Sequence, residues 1–327
     1  MRALLAVIII AAGLWSGYWF VGKSAVESGV EATIAAAPAN GMHIQHQGYA
    51  VTGFPNRFDL TFTAPRVALD TADFAWGAEF FQLFSLSYKP WHMIAAFAPM
   101  QRFDIDGQAF SLTSGKLQAS LVAQPKTELP LDHATLIGDE LILTAQDRPL
   151  LSAKTLRLAI RLDPSRANSH QIGLELLDIA PAINGWNLPQ GLPTNIPLIR
   201  SDATASFSAP IDRFFGETQP MLTALDIREA IVQWGDVNLF AKGALEVVDG
   251  YPEGELALQV KGWESLLPVL VDAGVIKPDQ SRLVEGMAKM LARGSADGKS
   301  LSLPLSFRQG RMALGPIPLG MAPRLTR

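Results

Sequence analysis

Phe58-Asp59-Leu60-Thr61-Phe62-Thr63 alternates a large apolar side chain with a polar one at every step. Successive side chains of a β-strand point to opposite faces, so this spacing puts the three apolar groups on one face and the polar ones on the other. The stretch reads as a half-buried antiparallel strand. The same period returns far along the chain. Leu156, Leu158, Ile160 and Leu162 stand between Thr155, Arg157, Ala159 and Arg161, and Leu256, Leu258 and Val260 between Glu255, Ala257 and Gln259. The 22 prolines and 27 glycines are scattered among such runs. Gly53-Phe54-Pro55 separates two runs between Met42 and Leu69, and Asp249-Gly250-Tyr251-Pro252 marks a hairpin turn. A strand with one apolar face needs a second layer, or a ligand, against that face. The fold class that follows is mainly β within α+β. It has large antiparallel, curved or sandwich-like sheets and a small helical insertion, preceded by one N-terminal transmembrane helix.

Two stretches depart from this period. Pro181 to Pro197 holds four prolines, two glycines and almost no charge, which makes it a loop and a candidate half-boundary. Trp263 to Arg293 changes to helical spacing. One helix is expected over Glu264–Ala273, stopped at Gly274, and a second over Pro278–Ala292 with Leu283, Met287, Met290 and Leu291 on one face. Strand grammar then resumes from Leu301 to Phe307. The pair Trp76-Gly77 is echoed by Trp234-Gly235, each ahead of an apolar run, which would fit a duplicated half or a recurring hairpin start.

Ala3 to Val21 carries no charge. Nineteen residues at ~1.5 Å each give roughly 28 Å, close to the ~30 Å hydrocarbon thickness of a bilayer. Trp15, Tyr18, Trp19 and Phe20 crowd its distal end, where amphipathic rings favour the headgroup level. A cleaved signal peptide would have a shorter apolar core followed promptly by a small-x-small site. Here bulky aromatics occupy that place, so an uncleaved anchor is expected. Arg2 and the amino terminus favour a cytoplasmic N-terminus, against which Lys23 counts on the far side. Ser24 to Ala37 reads as a separate short helix, with Ser24 as N-cap, Glu27 three residues later and Pro38 as its stop. The chain accordingly divides into a transmembrane signal anchor at 1–23, a short helix and linker at 24–40, and a β-rich periplasmic domain at 41–327. That domain carries the half-boundary at 181–197 and the helical insertion at 263–293.

Composition removes several functions. There are no cysteines, which excludes thiolate catalysis, disulfides and cysteine-ligated metals. Setting Arg2 and Lys23 aside leaves 25 basic residues against 31 acidic ones, a balance that argues against a nucleic-acid footprint. His43 and His46 are three apart, which in a strand points them to opposite faces. His92 lies between apolar neighbours, and no zinc-binding helix motif occurs. Gly294 to Ser300 resembles a phosphate-binding loop only superficially, being one residue short and followed by strand. Asp104 to Gly107 lacks the further ligands of a calcium loop. No catalytic residue, metal ligand or cofactor is therefore expected.

Several pieces carry a family likeness. Gly48 to Phe58 with its Gly-Phe-Pro centre, Trp76-Gly77, Tyr88-Lys89-Pro90-Trp91-His92, Asp249 to Gly254 and Gly310 to Leu319 together resemble domain of unknown function 2125. The resemblance runs from about residue 40 to the end, and implies a membrane-anchored envelope protein of Gram-negative bacteria with no assigned activity. A looser likeness, in style rather than motif, is to AsmA-like envelope proteins, associated with lipid movement or outer-membrane homeostasis. The function expected is that of a non-enzymatic protein, single-pass in the inner membrane through residues 3–21, with the bulk of the chain in the periplasm. It would bind a lipid, another hydrophobic ligand or an envelope protein, with Phe80, Phe81 and Phe84 as the candidate apolar ligand face. A periplasmic enzyme acting on envelope polymers, or a scaffold recruiting partners through residues 263–293, is the alternative. An open apolar groove or a sealed sandwich core decides between a ligand and a purely structural role for the apolar faces.

Overall fold

A computed structural model describes residues 1–70, 73–181, 192–274, 276–293, 295 and 299–326. The chain is mainly β, with antiparallel pairing throughout and a few helices, as the alternating pattern predicts. Its contacts divide it into two units, Met1–Leu150 and Leu151–Arg327.

The first unit opens with helix α1 (Arg2–Ala36), closed by a 3₁₀ turn at Ala37–Asn40. One helix stands where the sequence suggests two. Ser24 lies inside it and caps nothing, because Gly22 alone is too weak a breaker to interrupt good helix formers on both sides.

Eleven strands follow: β1 (Met42–Gln45), β2 (Gly48–Thr52), β3 (Arg57–Thr63), β4 (Arg66–Leu69), β5 (Phe74–Ala78), β6 (Phe80–Leu86), β7 (Lys89–Phe97), β8 (Met100–Ile105), β9 (Gln108–Thr113), β10 (Lys116–Ala123) and β11 (Leu131–Ala145). Their pairings reduce to a simpler plan. β2 pairs with β3 while β1 pairs with β4, β3 with β6 while β4 pairs with β5, and so on through β6–β7 with β5–β8, β7–β10 with β8–β9, and β10 and β9 with the two halves of β11. The unit is thus an up-and-down meander of six long strands, five of them broken near the middle.

The breaks fall in register and make a crease across the sheet: His46-Gln47, Ala64-Pro65, Glu79, Ala98-Pro99 and Ser114-Gly115, facing Glu140 in β11. Ala64 and Glu140 have positive φ. Pro65 and Pro99 bring no N–H to the crease, and their carbonyls carry the ladder across it by accepting from Ala78 and Ser114. These two prolines therefore stand at bulge-like breaks between strand halves.

In the second unit, β12 (Arg148–Leu162), β13 (Ser169–Pro181), β14 (Ile196–Phe207), β15 (Leu222–Trp234), β16 (Val237–Val248), β17 (Tyr251–Lys261), β18 (Leu301–Arg308), β19 (Arg311–Leu314) and β20 (Ile317–Met321) pair each with the next. A one-turn helix α2 (Phe215–Thr218) precedes β15. The turn at Asp249-Gly250 has positive φ at both residues, the geometry of a tight hairpin. Helices α3 (Trp263–Asp272) and α4 (Ser281–Ala292) interrupt the meander between β17 and β18 and supply the small helical insertion.

Trp263, Ala288, Ala292 and Leu301 form one buried cluster, and Trp234, Val237 and Val269 lie in another. Leu283 and Met290 do not join Leu291 in the core as the helical spacing predicts. They face solvent at 66% and 68% exposure, because the narrow side of Ala288 and Ala292 lets the helix approach more closely and takes the inner position. The two Trp-Gly pairs are not equivalent either. Trp76-Gly77 lies inside β5, whereas Trp234 ends β15 and Gly235 turns with φ 60. Of the remaining sequence readings, the loop around 182–191 and most of Gly294 to Ser300 lie outside the described residues.

Candidate functional site

The site worth building begins on α1. Trp19, Gly22, Val26 and Val30 recur at helical spacing and form the stripe that meets the sheet. Trp19 is 4% exposed and packs with Val51, Phe58 and Leu60, while Val26 and Val30 lie against the same cluster with Tyr49, Phe62 and Leu83. At Gly22 an added Cβ would run into the Phe58 ring, so glycine sets how closely helix and sheet approach. Further on, Tyr49 donates to Glu31, and burial followed by that carboxylate raises the phenol's pKa above its ordinary value.

Three ring donors tie the helix to hairpin ends. Trp15 Nε1 donates to Asn56 Oδ1 at 3.3 Å, Tyr18 Oη to the Ser87 carbonyl at 2.6 Å, and Trp19 Nε1 to the Arg57 carbonyl at 2.7 Å. Asn56 belongs to the β2–β3 turn and Ser87 to the β6–β7 turn, and the Ser87 N–H donates to the Asn56 carbonyl. The ring of Phe54 meets those of Trp19 and Phe20 at 5.3 and 5.9 Å. Ahead of this junction nothing among the described residues covers the helix: Leu4, Leu5, Val7, Ile8, Ile9, Ile10 and Leu14 are all exposed. By length and composition α1 is able to cross a membrane.

From the junction an apolar face extends across the sheet. Directly paired residues share a face, so Val51, Leu60, Leu83, Ala95, Ala119 and Leu136 form one row from β2 to β11. Phe58, Ser85, Met93, Leu121 and Ala134 form the next. Helix α1 seals only the first strands of these rows. Val51, Phe58 and Leu60 are buried, but Met93 and Leu121 stand 37% exposed. The face is closed at the helix and half-buried to exposed beyond it, and the opposite face is likewise exposed at Ile94 and Ile137.

The three phenylalanines singled out from sequence divide between the two sides. Phe81 lies on the α1 side, paired with Phe62 and Phe97, its ring 5.2 Å from that of Phe97. Phe80 and Phe84, at even spacing, turn to the other side, where the Arg57 guanidinium stands 5.7 Å from the Phe84 ring and is paired with Asp59. Alternation along β6 makes this unavoidable. Met93 and Leu121, which complete the open face, were not singled out in the sequence. Their signal was present in the alternation of β7 and β10, but their alignment depends on strand pairing.

A separate hollow of about 780 Å³ lies on the far side of the crease. The row Arg66, Gly77, Arg102, Ser111 and Thr144 runs through it, with Glu79, Asp104 and Asp147 also lining it. No histidine lines it. Among the described residues no three histidine or carboxylate side chains are placed to hold a metal. His43 pairs with Asp70, His133 with Asp132, and His92 lies 3.2 Å from the Ser120 hydroxyl.

Comparison with known proteins adds one match. The family described as an uncharacterized protein conserved in bacteria, DUF2125, matches residues 19–323. No curated protein matches the chain.

Proposed function

We propose, for a chain that belongs to this DUF2125 family of uncharacterized bacterial proteins, that it is a non-enzymatic envelope protein. Its α1 anchors it in the inner membrane, and its first sheet accepts acyl chains on the face beside that anchor. The observation that carries the reading is the change of environment along α1. Its first turns offer apolar side chains to nothing, and from Trp19 onward the same helix is packed against the sheet. A helix of this composition stays in water only at great cost, since each fully exposed Leu or Ile forgoes roughly 1.5–3 kcal/mol of burial. Arg2 ahead of the uncharged stretch, against Lys23 beyond it, supports a cytoplasmic start for the helix and so a periplasmic side for the sheets.

The open rows support the second half of the reading. They begin under Trp19, at the point where the helix leaves the bilayer, and run to Met93 and Leu121 with Ser85 as their one polar member. A lipid chain leaving the bilayer beside α1 meets that face first. To test this, the full chain is reconstituted with a phospholipid carrying a photoreactive diazirine in its acyl chain, and cross-linked residues are mapped. Cross-links at Met93 and Leu121, absent from Ile94 on the opposite side, are expected. Cross-links confined to the apolar helix would leave the anchor standing and overturn the lipid-accepting sheet.

A further inference from the structure

The hairpin ends beside α1 form a surface for the bilayer itself. The uncharged stretch Ala3 to Val21 amounts to roughly 28 Å of helix, about one hydrocarbon core. The sheet, however, takes hold of the helix from Trp15 onward through the hydrogen bonds to Asn56, Ser87 and Arg57. Only Ala3 to Leu14, about 18 Å at 1.5 Å per residue, is left free to span. The remaining ~10 Å of a full crossing is helix already tied to hairpin ends. A bilayer of ordinary thickness around the whole apolar stretch therefore reaches those ends.

The chemistry of the ends fits that depth. The meander has three turns on this side: Gly53–Asn56, Ser87-Tyr88, and the loop 124–130 between β10 and β11. Each exposes an apolar residue, Phe54 and Tyr88 at 53% and Leu129 at 37%. Hairpin carbonyls facing water need no protein partner, whereas in a water-poor interface each must be satisfied internally. The carbonyls of Arg57 and Ser87 are satisfied, by the indole of Trp19 and the phenol of Tyr18.

Charge separates the two ends of the same sheet. Beside α1, Lys89 at the start of β7 and Lys126 in the loop 124–130 are exposed, with Glu128 in the same loop and Asp132 at the start of β11. The turns at the opposite end carry Asp70, Asp73, Asp106 and Asp147. The first end is balanced and the second is acidic, so an anionic bilayer repels the second end more than the first, while each basic residue near its surface gains about 1 kcal/mol.

We infer that the Phe54, Tyr88 and Leu129 hairpin ends insert into the headgroup layer of the membrane that α1 crosses, with Lys89 and Lys126 on anionic phosphates. The strands of the first unit then stand up from the bilayer instead of swinging on a tether. This rests on the anchor reading above, and the test separates the two. The chain has no cysteine, so single-cysteine variants of the full protein carry one fluorophore each. Ile9→Cys reports the span, Tyr88→Cys and Thr127→Cys the near turns, and Gln108→Cys the far end. All are placed in nanodiscs containing phosphatidylglycerol, and the rate of aqueous dithionite bleaching is measured.

The expected result is a label at Ile9 that is fully protected, labels at Tyr88 and Thr127 bleached several-fold more slowly than at Gln108, and loss of that difference on Lys89→Glu with Lys126→Glu. If Ile9 is protected and both near turns bleach as fast as Gln108, the surface inference is wrong and the anchor stands. If Ile9 itself bleaches rapidly, the anchor reading fails and the inference falls with it. Protection of the near turns that survives the double charge reversal overturns the role given to the lysines.

Discussion

Trp19 and Trp263 are equally buried, at 4% exposure, and each fastens a helix to a sheet, yet they do so by different chemistry. Trp263 starts α3 and packs among Ala288, Ala292 and Leu301, an apolar set that closes by shape. Trp19 packs as well, against Phe58 and Leu60, but its N–H also satisfies the Arg57 carbonyl, and Trp15 and Tyr18 repeat the pattern beside it. The contrast teaches what each contact has to withstand. A helix packed on a sheet in water needs only its apolar stripe buried, since water satisfies the strand ends. On the anchor reading proposed for α1, a helix passing from lipid into a folded body carries the strand ends into a place where water is scarce, so it brings donors with it.

The largest effect that would break the comparison is truncation of Trp19. Trp19→Ala removes a buried ring and leaves the Arg57 carbonyl without its donor, at an expected cost of about 3–5 kcal/mol. Hydrogen exchange in nanodiscs should show the loss as faster opening of β2 and β3, with β17 and β18 unaffected. An equal loss in both units would mean that the α1 contact is not local to the first sheet.

A smaller effect sharpens the distinction. Tyr18→Phe keeps the ring and deletes only the bond to Ser87, which a typical hydrogen bond sets at about 0.5–1.5 kcal/mol. The expected readout is faster exchange at the β6–β7 turn, whose Ser87 carbonyl loses its partner. No change there would show that water reaches the turn and replaces the phenol, contrary to the depth argued from the helix length.

The smallest effect concerns the water-side helix. Leu283→Ser combined with Met290→Ser removes two exposed apolar groups from α4, and stability should move by no more than about 0.5 kcal/mol per site. A larger loss, read from thermal unfolding of the full chain, would mean that these residues are covered by a partner copy or another surface in solution. Such a result favours the scaffold role for the helical insertion.

Much of this was legible beforehand. The alternation at Phe58, Leu60 and Phe62 announces β3, and the change to helical spacing announces α3 and α4. The apolar run announces a helix able to span a bilayer. The family likeness read from Gly48–Phe58 and the C-terminal pieces agrees with the match over residues 19–323. The site was less legible. Three phenylalanines close in sequence suggested one face, but a period of two sends Phe81 away from Phe80 and Phe84. The aromatic rings of α1 were legible as an interfacial belt, but not as donors to particular carbonyls. A helix spacing says how high a ring stands and nothing of what stands beside it.

The sequence by itself determined the local periods: where backbone must alternate, where it must coil, and which stretch water cannot hold. Those follow from side-chain size and polarity at neighbouring positions, which the chain carries in any conformation. Tertiary structure alone decided that Pro65 and Pro99 crease a sheet instead of ending strands, since a proline needs only a partner strand that asks for no N–H at that point. It also decided that Asn56 and Ser87, thirty-one positions apart, lie together beneath Trp15 and Tyr18. Pairing register sets that proximity, and register is a property of strands already assembled.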